Sequence, residues 1–254
     1  MKNKPLILIT NDDGIHAKGI ACLVEAMKEF GDLVVVSANE SFSGMSHAIT
    51  VKTPLYLKDM GIKDNVRYYK TNGTPVDCVK LAMHTVLDRY PDYIVSGINH
   101  GSNSSTSVHY SGTMGAAREG ALNGIPSLGF SLLTYESDAD FSGCDKVVKV
   151  VFEDVLKNGL ESGVFLNVNI PYTDKVKGIK YCRQGKGKWV ENFMERMDPR
   201  GKQYFWLTGH FENLEPNATD TDEFYLENNY ASVVPCSIDA THTESLKKNK
   251  NYEL

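Results

Sequence analysis

The sequence predicts an α/β fold: a doubly wound, mostly parallel sheet followed by a small C-terminal β-hairpin and extension region. Three observations carry this. Short apolar runs alternate with helical patterns over the first two thirds of the chain. These runs are apolar throughout, as in strands buried on both faces of a parallel sheet. From about Lys177 the runs shorten, and glycines and aromatics intervene.

The elements follow in order. Leu6–Ile9 is the first buried strand. A helix is expected from about Lys18 to Phe30, with Leu23, Met27 and Phe30 at helical spacing. Leu33–Val36 reads as the second strand. Val76–Leu87 suits a helix, Asp92–Val95 a strand, Gly115–Leu122 a helix and Ser127–Phe130 a strand. A longer helix, about Cys144–Leu156, precedes a strand at Val164–Val168. This alternation implies parallel pairing through right-handed crossovers. In the tail, Val190–Met194 and Gln203–Leu207 flank Asp198-Pro199-Arg200-Gly201, a turn signal, and predict a protruding hairpin. Its aromatics suit packing on another subunit, and equally a local cover over the sheet. Residues 1–175 are expected to form the core and residues 176–254 the hairpin and extension. Lys247-Lys248-Asn249-Lys250 reads as a frayed, solvated terminus.

Composition narrows the function. The 254 residues, 41% of them hydrophobic, can build one large core. A net charge of −5, from 27 basic against 32 acidic residues, argues against a grip on long nucleic acid, which needs a concentrated basic surface. Cys22, Cys78, Cys144, Cys182 and Cys236 are odd in number, far apart and without CxxC pairing. That pattern is expected of reduced thiols in a cytoplasmic protein, not of a disulfide frame or a zinc site. Leu6–Ile9 is too short for a signal peptide, and no stretch of about 18 apolar residues exists to span a membrane.

The chemistry is expected at the carboxyl ends of the strands, where open parallel sheets bind ligands. Thr10-Asn11-Asp12-Asp13-Gly14 follows the first strand directly. Two adjacent acids at that rim suit a hard divalent cation; the same residues also suit a capped turn. The polar loop Asn39–Ser46 follows the second strand, and Ser96–Asn103 follows the strand ending at Val95. Asn99 can supply a neutral oxygen ligand. Ser111-Gly112-Thr113 opens a helix and offers hydroxyls and backbone N–H groups to an anion, or simply caps the helix. Thr74 before Pro75 reads as a helix cap first and a substrate contact second. Together these segments offer one metal site and one anion pocket side by side, as phosphate-ester hydrolysis requires. His16, His47, His100 and His109 lie near the motifs as candidates for proton transfer.

These residues, in this order, resemble the SurE family of 5′-nucleotidases. The resemblance rests on Leu8–Ala17 with Gly19-Ile20, Ser43-Gly44, Gly73–Val79, Val95–Asn103 and Tyr110–Thr113 running through to Glu119-Gly120. It implies a Rossmann-like catalytic domain with a small β-hairpin region. It implies Asp12, Asp13, Ser43 and Asn99 as metal ligands, and Asn103, Ser111, Gly112 and Thr113 around the phosphate, with Asn11 beside Asp12 and Asp13 in the catalytic group. One Mg²⁺ or Mn²⁺ ion per subunit is implied, with water activated at the cation as nucleophile. Nucleoside 5′-monophosphates are the implied substrates, with 3′-monophosphates and polyphosphate as further ones. A homodimer or tetramer with exchanged C-terminal segments is implied as well. The chain departs from relatives at Asn103-Ser104-Ser105-Thr106, which is serine-rich, and near Asp239-Ala240-Thr241-His242, where His242 has no clear counterpart.

Rival readings fit less well. A magnesium-binding receiver domain needs a phospho-accepting Asp at its third strand's end, but the nearest, Asp77, lies in a predicted helix. A haloacid-dehalogenase-type phosphatase needs Asp-x-Asp-x-Thr after the first strand, which Asn11–Ile15 does not supply. A nucleotide-binding module without turnover lacks its glycine-rich GxGxxG or GxxxxGK[ST] loop there.

Overall fold

A computed structural model describes residues 4–136 and 138–248. The strand β1 (Leu6–Thr10) leads to the helix α1 (Lys18–Met27) and then to β2 (Asp32–Ala38). An antiparallel pair follows, β3 (Leu57–Lys63) and β4 (Val66–Thr71), then α2 (Pro75–Leu81). Next come β5 (Tyr93–His100), α3 (Gly112–Leu122), β6 (Ser127–Leu133), α4 (Asp145–Asn158) and β7 (Val164–Pro171). The rest comprises β8 (Ile179–Tyr181), β9 (Gly187–Met197), β10 (Gln203–Asn213), α5 (Asp222–Glu227), β11 (Ala231–Ser237) and α6 (Thr243–Lys248).

Nine strands form one sheet in the order β3-β4-β2-β1-β5-β6-β7-β11-β8, and β9 pairs with β10 apart from it. The pairs from β4 through β7 are all parallel. Strand side chains alternate between two apolar layers. On one face Ile7, Ile9, Val35 and Phe130 pack against Leu23 and Met27 of α1 and Val148 and Phe152 of α4. On the other, Leu8, Val36 and Ile94 meet Cys78 and Val79 of α2 and Ala116 of α3. The sheet is therefore doubly wound, as predicted. Chain order reverses at β1, with β2 on one side and β5 on the other. Ligands of open α/β sheets bind at that switch point.

Several expectations need adjustment. The helix expected at Val76–Leu87 is α-helical only to Leu81 and ends in one wider turn, Ala82–Val86. The strand expected to stop at Val95 runs on to His100, with an irregularity in its pairing to β6 between Ser96 and Asn99. The helix pattern over Gly115–Leu122 extends back to Gly112, where Ser111-Gly112-Thr113 is expected to open it; the Ser111 hydroxyl accepts from Met114 N–H as the cap. The division at residue 175 is not a boundary of the sheet: β8 and β11 extend it beyond β7. Backbone pairing across β7 and β11, from Val164↔Ser237 to Asn169↔Ser232, joins the tail to the core. Only the β9–β10 hairpin stands apart. Lys247 and Lys248 lie in α6, and the rest of the expected frayed terminus, residues 249 and 250, lies outside the described residues.

Helix α1 crosses β5 so closely that a Cβ on Gly19 would sit 2.0 Å from the Ile98 carbonyl oxygen. Backbone cannot yield there as a side-chain tip would. Gly19→Ala is therefore expected to destabilise the protein by about 1–3 kcal/mol, as other overpacked cores do. Thermal unfolding checks this against Gly143→Ala, whose new methyl meets open space and should leave the melting temperature unchanged.

Candidate active site

Asp12 and Asp13 emerge where β1 ends, at the switch point. Their loop is built from below by Asn11, which is fully buried. Its amide donates to the Gly14 carbonyl at 2.9 Å and accepts from the Ser37 hydroxyl at 2.5 Å. Asn11 thus shapes the acid loop from beneath rather than facing a ligand. Gly14 takes a positive φ of 96°, which completes the turn.

Asp12 is 2% exposed. It accepts from the Thr113 hydroxyl at 2.5 Å and from backbone N–H groups of Gly112 and Thr113. The start of α3 therefore points its unpaired N–H groups at this carboxylate. Gly112 keeps the approach close: a Cβ there would lie 3.0 Å from Asp12 Cβ, tighter than an ordinary contact. Asp13 accepts from His100 N–H at 3.0 Å, so the end of β5 holds the second acid.

Electrostatics set these acids apart. Burial raises the Asp12 carboxyl against the hydrogen bonds from Thr113. Burial and the neighbouring Asp12 charge push Asp13 up to about 6. Neither acid has a cationic partner among the described residues. One buried and one half-buried carboxylate, both unneutralised, fit a hard divalent cation. No cluster of three His, Cys, Asp or Glu side chains occurs among the described residues, so neutral oxygens must complete any ligand set.

A cavity of about 720 Å³ opens over Asp12, and Ser43, Asn99, Asn103 and Ser111 line it too. The Ser43 loop is tied down at both ends. Phe42 N–H donates to the Asp12 carbonyl at 2.7 Å, and Ser46 N–H to the Tyr110 carbonyl at 2.9 Å. His47 on this loop contacts buried Glu119 of α3, which also binds Lys80 of α2 at 2.6 Å. Burial alone would raise Glu119; the hydrogen bonds from His47 and Lys80 outweigh it and hold the carboxyl down at about 2. Asn99 donates to the Gly101 carbonyl at 2.8 Å, which leaves its side-chain oxygen for a ligand. Asn103 is fixed by Asn169, Ser131 and Asn167. Ser111 and Thr113 both have structural duties, as helix cap and as donor to Asp12.

Two features escape sequence reasoning. The hairpin of β9 and β10 roofs the cavity with Trp189, Glu191 and Leu207. Its base is clasped by Asp222, whose carboxylate accepts from Ser105 N–H and Gly185 N–H, each at 2.7 Å. No local pattern marks a contact spanning 117 residues. Of the four histidines near the motifs, His100 lines the cavity; His16 is exposed and His47 is engaged with Glu119. His109 lines a different, smaller cavity, with Arg118, Phe165 and Arg183. His242 is exposed and pairs with Ser245.

Residues 7–191 match the family model described as Survival protein SurE. The chain belongs to the SurE family. A protein of Christiangramia forsetii named 5′-nucleotidase SurE is 51% identical, over 100% of this chain and 98% of that protein. One of the same name from Cytophaga hutchinsonii is 53% identical, over 94% of this chain and 93% of its own length. The crystal structure of the SurE protein from Aquifex aeolicus superposes with a TM-score of 0.81 at 36% identity, covering 96% of this chain and 98% of that one. SurE relatives therefore span the whole fold, including the tail where the motifs thin out.

Because Asp13 is raised by burial and by Asp12, the pair costs stability wherever both are ionised, above about pH 6. Asp13→Asn should raise the melting temperature in EDTA at pH 7 and abolish the rise expected in the wild type on adding a divalent cation. Calorimetry with and without metal checks both.

Proposed function

We infer that this SurE protein is a metal-dependent 5′-nucleotidase, releasing phosphate from nucleoside 5′-monophosphates. The observation that carries it is the uncompensated pair of buried Asp12 and half-buried Asp13 beside a polar pocket at the switch point. Relatives of about half-identical sequence bear the 5′-nucleotidase name over nearly their full length. Asp12, Asp13, Ser43 and Asn99 would hold one divalent cation, Mg²⁺ or Mn²⁺. When bound, the cation neutralises phosphoryl charge and acidifies a water.

The chain's own groups do the rest. Asn103 and Ser111 face the transferring phosphoryl group from the cavity wall, and Gly112 and Thr113 back that wall with their N–H groups and hydroxyl on Asp12. Their donors are preorganised: Asn103 by its three asparagine and serine partners, Ser111 by the helix it caps. Thr113 holds Asp12, and Asn11 holds the loop, so both act as positioning residues. Nucleoside 3′-monophosphates and polyphosphate present the same terminal phosphate and are further substrates of this site.

The rival readings lose their residues. Asp77, the candidate phospho-acceptor of a receiver domain, is buried in the capping box of α2 and bonded to Thr74. No helix among the described residues is long and apolar enough to cross a bilayer. With five unpaired cysteines, that fits a cytoplasmic enzyme.

The outer face of the hairpin carries Met194 paired with Trp206, 42% and 62% exposed, beside Tyr204. Such a surface suits a second subunit. A homodimer or tetramer is expected by sedimentation at micromolar concentration; a monomer overturns the assignment of this face.

The deciding assay is phosphate release from 5′- and 3′-monophosphates and polyphosphate after EDTA treatment and metal restoration. Metal-restored release is expected. Asp12→Asn should abolish it while leaving the circular dichroism spectrum unchanged, since the lost carboxylate acts on the cation. Normal turnover in that variant sinks the assignment.

A further inference from the structure

The cavity is larger than a phosphate needs. About 720 Å³ lies within the range of about 300–1,000 Å³ found for small-molecule sites. Its floor is polar and belongs to the sheet rim. Its upper walls are different: Tyr110 and Tyr135 on the core side, Trp189 and Leu207 on the hairpin. Tyr135 is 74% exposed, and its ring lies against Gly101, where a Cβ would come within 2.6 Å. Trp189 is flanked on the same hairpin face by Phe211, in an edge contact with ring centroids 6.1 Å apart.

Register decides what the hairpin shows the cavity. Directly paired residues of an antiparallel ladder share a face. Trp189 pairs with Phe211 and Glu191 with Gly209, so Trp189 and Glu191 project together. Gly209 has no side chain across from Glu191 and leaves a slot at the carboxylate. A Cβ on Gly209 would clash with the Val190 carbonyl at 2.5 Å. Glu191 has no side-chain partner among the described residues. It is a bare carboxylate one rung beyond an aromatic ring, in a cavity whose floor takes phosphate.

We propose that the β9–β10 hairpin is the base-recognition wall of this site: Trp189 stacks the nucleobase, and Glu191 selects guanine. The proposal rests on the nucleotidase reading and deepens it. A carboxylate offers two acceptors. Guanine presents two adjacent donors on its Watson–Crick edge, N1–H and the N2 amino group, and satisfies both. Hypoxanthine presents N1–H alone. Adenine places an acceptor, N1, against the carboxylate and offers only its N6 amino group. Hairpin placement over the cavity is secured by the Asp222 clasp and by the packing of Gly187 on the Phe211 ring.

The test compares kcat/KM for GMP, IMP, AMP and p-nitrophenyl phosphate in the metal-restored full chain. Wild type should favour GMP over AMP by on the order of tenfold or more, with IMP between, as a bidentate base contact gives. Glu191→Gln replaces two acceptors by one acceptor and one donor, the complement of adenine, and should move the preference toward AMP. Trp189→Ala should raise KM for nucleotides by on the order of tenfold, as lost stacking does. Equal GMP and AMP in the wild type, or equal losses on both in Glu191→Gln, overturn the proposal. Binding is read separately. GMP should quench tryptophan fluorescence in EDTA-treated protein, and Trp189→Phe should remove the quench. If no ester is hydrolysed, the nucleotidase reading fails while the quench still decides the base wall; no quench overturns it.

Discussion

Everything at the functional end of this molecule depends on two adjacent carboxylates being held close together without a cation of the protein's own. Asp12 and Asp13 repel, and burial removes the solvent that would screen them. The fold offsets this with oriented hydrogen-bond donors. The start of α3 and the Thr113 hydroxyl face Asp12, and the His100 amide at the end of β5 faces Asp13. Those donors are correct only if β1 and β5 lie side by side and α3 begins at Gly112. The hydrophobic layers on both faces of the sheet enforce that arrangement. The two acids stay together because the core holds these donors in place.

A second constraint ties the C-terminal segment to the same place. Asp222 is fully buried, and its carboxylate is placed so that three backbone N–H groups, of Ser105, Gly185 and Glu223, all reach it. Ser105 lies two residues past Asn103, and Gly185 lies two residues before the hairpin. One side chain therefore fixes the cavity-lining loop after β5 and the hairpin base together. With β11 paired to β7, the tail cannot be separated from the core as an independent appendage. The hairpin is left with two faces, one over the cavity and one toward solvent.

Much of the first 175 residues was legible because buried parallel strands leave continuous apolar runs. Leu6–Ile9, Leu33–Val36 and Val164–Val168 all lie within observed strands. The strands that were missed have physical reasons. Residues of β3 are nearly all exposed, so the run Leu57–Lys63 carries no core pattern. Strand β11 contains Pro235, which usually argues against a central strand. It is tolerated because β8 pairs only with Ala231–Val233, so nothing requires the missing N–H of Pro235 on that side. The end of β5 read as loop because Ser96, Gly97 and Asn99 have turn chemistry. A Cβ at Gly97 would lie 2.3 Å from the Phe130 carbonyl, so the glycine serves close strand packing instead.

By itself the sequence determined the fold class, the order of the core elements and the residues that gather at the switch point. Those follow from local periodicity and from motifs whose members sit within a few residues of one another. Only the tertiary structure decided what each of these residues does there. Asn11 turned inward to build the loop, Thr113 bound Asp12 across 101 residues, and of the two expected helix caps it was Ser111 that took the role. Tertiary structure also decided that the hairpin roofs the site. Side-chain polarity is written in the chain, but the choice among partners depends on which groups the folded backbone brings within hydrogen-bond distance. That choice is made by packing, and packing has no local signature.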